Sequence, residues 1–211
     1  VETRPLRRDA ERNRRRILDA ARALVAERGL DVSHDDIAHA AAVGVGTVYR
    51  RFPDKRDLFD ELLAEQVGDL VETAERARAD PDPWAGLTAF VTGNLERQAG
   101  DPGLRELMTS GRGSELALRA RRRMGAAVTE LVDRAHATGQ LRADIGVGDI
   151  AVAEMMVAEI IERAAGIEPE LWRRALALVL DGLRGHAPLP GRVPPMEQIE
   201  RMGPRPGPPG S

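Results

Sequence analysis

From Ile17 to Leu183 the apolar side chains return at every third or fourth position, the period of a helix with a buried face. Strands need a period of two, and no long stretch shows it. Ile17, Ala21, Leu24 and Val25 open the series, and Gly29 follows where a helix should stop. Ser33-His34-Asp35-Asp36 has the Ser-x-x-acid form of a capping box and predicts a second helix with Ile37, Ala38 and Ala41 on one side. Gly44 supplies a turn residue or a permissive N-cap before a third helix, in which Val45, Val48 and Phe52 keep the inward period. Ile17, Leu24, Ile37, Val48 and Phe52 are the expected core of this small unit.

Longer helices follow. Pro53-Asp54 ends the third, and Asp54 with Asp57 repeats the capping pattern for a fourth carrying Phe59, Leu62, Leu63, Val67, Leu70, Val71 and Ala74. Asp80-Pro81-Asp82-Pro83 breaks the chain before a fifth helix over 84–99. A short sixth is expected after Gly103, a seventh over 115–137, and two more over 149–164 and 169–183. Aromatic residues make up 3% of the chain against 42% hydrophobic, so Ala, Leu, Val, Ile and Met must fill the core, which favours helices over sheets. The expected fold is all-α with about nine helices. A helix-turn-helix unit with its N-terminal arm covers 1–56, and a helical body covers 57–185. Eight of the 14 prolines lie in 186–211, which predicts a disordered Pro/Gly-rich tail.

The last two helices are apolar on more than one face. Met156, Ile160, Trp172, Leu176, Val179 and Leu183 therefore predict a four-helix contact between two copies. The alternative is that both helices pack inside one protomer.

Charge and residue type point to a polyanion at the front of the chain. Residues 1–56 carry 13 Lys and Arg against 9 Asp and Glu, while the rest carries 18 against 25. The only tyrosine, Tyr49, and the only lysine, Lys55, both fall at the third helix and the start of the fourth. Thr47 and Tyr49 offer hydroxyls, Arg50 and Arg51 offer guanidinium groups, and Lys55 sits where a helix dipole disfavours a cation unless an anion binds beside it. Val45 suits a thymine methyl, and Gly46 lets backbone approach base edges. These are the residues of a recognition helix in a DNA major groove. The arginines at 4, 7, 8, 12, 14, 15 and 16 either enter a flanking minor groove or form a solvated leader.

Residues 17–62 resemble the DNA-binding domain of the tetracycline-repressor (TetR) family. The likeness rests on Asp36-Ile37-Ala38, Ala40-Ala41, Val43 and the run from Gly46 to Leu58. It implies phosphate contacts from Ser33, His34, Thr47, Tyr49 and Lys55, and base contacts from Val45, Gly46 and Arg50. It further implies a homodimer on a pseudo-palindromic operator, acting as a sequence-specific transcriptional repressor released by a small-molecule effector held in the helical body. Candidate pocket residues, from position alone, are Val67, Phe90, Asn94, Met124 and Val128. Two departures stand out. Ala42 occupies the usual turn glycine and Gly44 the usual Ser or Thr cap, so the glycine's role is expected to move to Gly44.

Other classes fit poorly. With no cysteine there is no disulfide, thiolate nucleophile or Cys-ligated zinc. His34, His39, His136 and His186 show no metal-ligand pairing, no glycine-rich phosphate loop exists, and neither an enzyme nor a cofactor is expected. No apolar run reaches the ~20 residues of a membrane span and no signal peptide opens the sequence, so a cytoplasmic, membrane-free protein is expected. The competing reading is a general DNA-packing protein without an effector.

Overall fold

The computed structural model describes residues 3–103, 115–185 and 187–201. All nine regular elements among them are helices: α1 (Thr3–Arg28), α2 (His34–Ala40), α3 (Val45–Arg51), α4 (Lys55–Arg78), α5 (Pro83–Gly100), α6 (Glu115–Ala137), α7 (Val147–Ala164), α8 (Leu171–Gly182) and α9 (Met196–Arg201). The short helix expected after Gly103 and residues 202–211 lie outside the described residues.

Local chemistry sets these boundaries. Gly29 takes φ 70° and its N–H bonds the Val25 carbonyl, closing α1. Ser33 caps α2 in both directions: its hydroxyl accepts from the Asp36 N–H at 3.1 Å, and the Asp36 carboxylate accepts from the Ser33 N–H at 3.0 Å. That bonding holds the Asp36 carboxyl below its ordinary pKa, the Ser33 hydroxyl being the largest cause. Asp54 and Asp82 cap α4 and α5 in one direction, their carboxylates accepting N–H groups of the first turn.

Two cores share α4. The first joins α1, α2 and α3 to the front half of α4 through Ile17, Leu24, Ile37, Val48, Phe52 and Leu62, all under 8% exposed. The second fills the body with Leu87, Phe90, Leu131, Ile150, Val157 and Trp172. Met124 of α6 packs against both. Ion pairs reinforce the junction: Arg14 of α1 reaches Glu61 of α4 at 2.9 Å, and Arg22 reaches Glu65 at 2.9 Å. These contacts tie the three-helix head to the front half of α4.

Three expectations are corrected. The arginine-rich leader is helix from Thr3 onward, so the solvated-leader alternative does not hold in its disordered form. The tail is not structureless over 187–201. Arg142 bonds the Ala187 carbonyl, the Leu189 N–H donates to Asp144 at 2.9 Å, and α9 packs on α7. Gly148 of α7 has no room for a Cβ, which would strike the Pro194 carbonyl. Composition missed this because the partners lie more than 40 residues upstream.

The third correction concerns the turn between α2 and α3. Ala42 itself is left-handed, with φ 49°, while Gly44 has φ −66° and caps α3. The glycine's task did not move. The Ala42 carbonyl accepts from Arg16 Nη2 at 2.9 Å, a tertiary bond that offsets the backbone cost. Ala42→Gly should therefore stabilise the protein by about 1 kcal/mol, raising Tm by roughly 2–4 °C in thermal denaturation. A lower Tm would show that the alanine is unstrained.

Candidate nucleic-acid interface

Val48 at 0% and Phe52 at 3% exposure anchor α3 in the head core. Helical geometry then turns the intervening residues outward. Val45 is 41% exposed and Tyr49 50%, and Gly46 and Arg50 are also exposed. Val45 thus leaves the inward period expected for it and joins the outer face. An exposed valine and an exposed tyrosine on one short helix, with no apolar neighbour covering them, mark a contact surface.

Tyr49 is held in place. Its ring stacks on that of His34, with centroids 4.5 Å apart and planes at 24°. His34 is only 9% exposed, and its Nε2 lies 2.9 Å from the Phe52 carbonyl oxygen, so that nitrogen carries the proton and donates. The imidazole is nearly buried, and its Nε2 is taken by the Phe52 carbonyl. It braces the start of α2 against the end of α3 and presents the phenol. The Ser33 hydroxyl is likewise occupied in the α2 cap, donating to Asp36.

Two cations on this face have no carboxylate partner among the described residues. Arg50 reaches only the Thr47 hydroxyl, at 3.4 Å. Lys55 lies in the first turn of α4 with its Nζ 5.2 Å from the centre of the Phe59 ring. Arg51 differs, standing 4.0 Å from Glu61 and over the Phe52 ring. A hydroxyl, a phenol and two unneutralised cations around an exposed helix form a donor-rich, acceptor-poor surface suited to a polyanion.

The expected pocket residues do not form one group. Val67 belongs to the head core and Phe90 and Val128 to the body core, with Met124 between them. Asn94 is 4% exposed and donates from Nδ2 to Glu154 of α7 at 2.9 Å. Sequence reading missed Glu154, although it is the one charge between Ile150 and Ala158. Burial raises its carboxyl from the ordinary 4.5 to about 7, against the Asn94 bond that lowers it.

Glu154 therefore binds its proton more tightly when the chain is folded. Its contribution to stability is full below about pH 4.5 and is lost as pH rises through about 7. Glu154→Gln stays neutral throughout, so its Tm relative to the parent should rise by about 5 °C between pH 5 and pH 8. A difference that stays flat with pH contradicts the raised pKa of this half-buried carboxyl.

The expected interface residues divide as well. Trp172, Leu176 and Leu183 are 1%, 4% and 8% exposed and belong to the protomer's own core, so they are not available to a second copy. Ile160 and Val179 are half-buried, and Met156 is 55% exposed. The uncovered stripe of α8 instead carries Leu171, at 42% exposure, and Leu178, at 68%, with Met155 and Met156 exposed on α7.

Comparison with known proteins agrees with this geometry. A model described as bacterial regulatory proteins, tetR family, matches residues 17–62, and one described as transcriptional regulator SbtR-like, C-terminal domain, matches 82–185. The crystal structure of the TetR transcriptional regulator SCO0520 from Streptomyces coelicolor is 31% identical, covers 82% of this chain and 99% of its own, and superposes with a TM-score of 0.60. The HTH-type transcriptional regulator AcrR of Shigella flexneri is 35% identical over 109 residues, half of each chain. The HTH-type transcriptional repressor LfrR of Mycolicibacterium smegmatis is 46% identical over 71 residues, 34% of this chain and 36% of its own. The chain thus spans half or less of these two curated relatives. Among the described residues no helix is long and apolar enough to cross a membrane.

Proposed function

Because the chain belongs to the TetR family of bacterial regulatory proteins, as a DNA-binding transcriptional regulator, we propose that it represses transcription as a homodimer on a pseudo-palindromic operator and is released by a small molecule. One observation carries the DNA reading. The sole tyrosine is stacked on a buried histidine and exposed on α3, the helix that carries Arg50 and leads to Lys55, two cations without a carboxylate partner among the described residues. In this reading Val45 and Gly46 meet base edges, Thr47, Tyr49 and Lys55 hold the sugar-phosphate strands, and Arg50, bonded to Thr47, takes a phosphate beside it. His34 acts by positioning Tyr49.

The exposed stripe with Leu171 and Leu178 on α8, beside Met155 and Met156 on α7, supports the dimer. Large apolar side chains left in water on two adjacent helices are the surface a twofold partner would cover. Two heads so related require half-sites one helical turn apart, ~34–36 Å, or a multiple of it. The Asn94–Glu154 pair is the polar feature that an effector entering between α5 and α7 would meet. Such a compound releases DNA only by preferring the conformation whose heads miss successive grooves.

A salt titration tests the reading against general DNA packing. The duplex that the full chain selects from random DNA and a scrambled duplex of equal length are compared. Tighter binding of the selected duplex at every salt concentration is expected; equal affinity would indicate packing.

A further inference from the structure

Beside α3 a groove of about 310 Å³ runs between that helix and the stretch of α1 from Asp9 to Ile17. Asn13 and Arg14 line it from α1, and Thr47, Arg50 and Arg51 from α3, with Asp9 at its edge. Three cations thus face one carboxylate, and Asp9 is engaged by Arg12 at 2.8 Å. Arg14 and Arg51 turn toward Glu61, leaving Arg50 as the cation without a carboxylate.

Asn13 is half-buried, yet among the described residues its side chain makes no hydrogen bond. Thr47, also half-buried, is met only by Arg50 at 3.4 Å. The Asn13 amide, the Thr47 hydroxyl and the Arg50 guanidinium thus line one groove with donors that no carboxylate or carbonyl takes among the described residues.

We infer that this groove seats one phosphodiester of the duplex in each half-site, with Asn13 donating to it beside Thr47 and Arg50. Thr47 and Arg50 belong both to this groove and to α3, so in the proposed complex a strand bordering the base-reading face would lie beside it. Phosphate oxygens only accept, which matches the donor set, and the surplus of positive charge suits a single anion. Asn13 thereby joins the contacts of the head from a helix outside the helix-turn-helix. The assignment rests on the DNA-binding reading above.

The test replaces single phosphates by neutral methylphosphonates along the duplex that the full wild-type chain selects from random DNA. At one phosphate per half-site the wild type should lose about 10-fold in affinity, the scale of a charge-assisted hydrogen-bond set. For Asn13→Ala the penalty at that phosphate should shrink several-fold and stay unchanged elsewhere. Asn13→Ala should itself bind the unmodified duplex about 10-fold more weakly, and Asn13→Asp more weakly still, with Tm unaltered. Wild-type affinity in both variants, or an unchanged penalty at every phosphate, overturns the groove's role while leaving the DNA reading intact. A wild type that selects no duplex removes both.

Discussion

Met156→Glu combined with Leu178→Glu should turn the protein into a monomer that no longer favours a two-half-site duplex. Met156 is 55% and Leu178 68% exposed, so neither substitution opens a cavity or buries a charge within one protomer. In the proposed dimer both side chains meet the partner's α7 and α8, and four carboxylates would be desolvated around one twofold axis. Burying an unpaired charge costs about 3–5 kcal/mol, so even partial burial raises the dimer Kd by roughly 10⁴-fold or more. Loss of the linked second head removes about 10²–10⁴-fold of operator affinity without touching a DNA contact. Sedimentation velocity at micromolar protein reads the first effect and duplex titration the second. A dimer that survives both charges places the interface elsewhere. Trp172→Glu makes the contrast: its side chain is 1% exposed, so that change should unfold the body.

Tyr49→Ala with Lys55→Ala should cost at least about 10²-fold in operator affinity, since a dimer loses two copies of each contact. The two residues leave different signatures. Lys55 supplies a charge, so its removal should flatten the dependence of log K on log salt by about two units per dimer, near 0.9 for each phosphate. Tyr49 is neutral, and its loss should lower affinity with little change in slope. His34→Ala should resemble Tyr49→Ala in slope, because the imidazole stacks on the phenol at 4.5 Å and in the proposed role acts by positioning it. Titrations across a range of potassium chloride separate these cases. An unaltered slope for Lys55→Ala would place its ammonium away from phosphate.

The head was legible from sequence because its boundaries depend on neighbours in the chain. The Ser33–Asp36 box, Gly29 and the Asp54 cap act over two to four residues, and helical spacing does the rest. Features that failed depend on distant partners. Ala42 is left-handed beside an arginine 26 residues upstream, which local propensity does not register. On α8, Trp172 and Leu176 share one stripe while Leu171 and Leu178 share another. Periodicity alone does not say which stripe the chain's own core takes. Packing gave it the tryptophan, the largest fully buried side chain, and left the leucines outside. Asn94 drew notice as a polar group in an apolar run, but its partner Glu154 lies 60 residues on. The effector remains the least legible part, since Val67, Phe90, Met124 and Val128 divide between two cores.

Selection of duplexes from random DNA by the full chain, read as a sequence motif, tests the central claim most directly. The account gives one short motif in two inverted copies with centres ~34–36 Å apart or a multiple of that, preferred over scrambled DNA by at least about 10³-fold. A pool without an enriched motif, or a motif lacking twofold symmetry, contradicts a paired reading head built on α3.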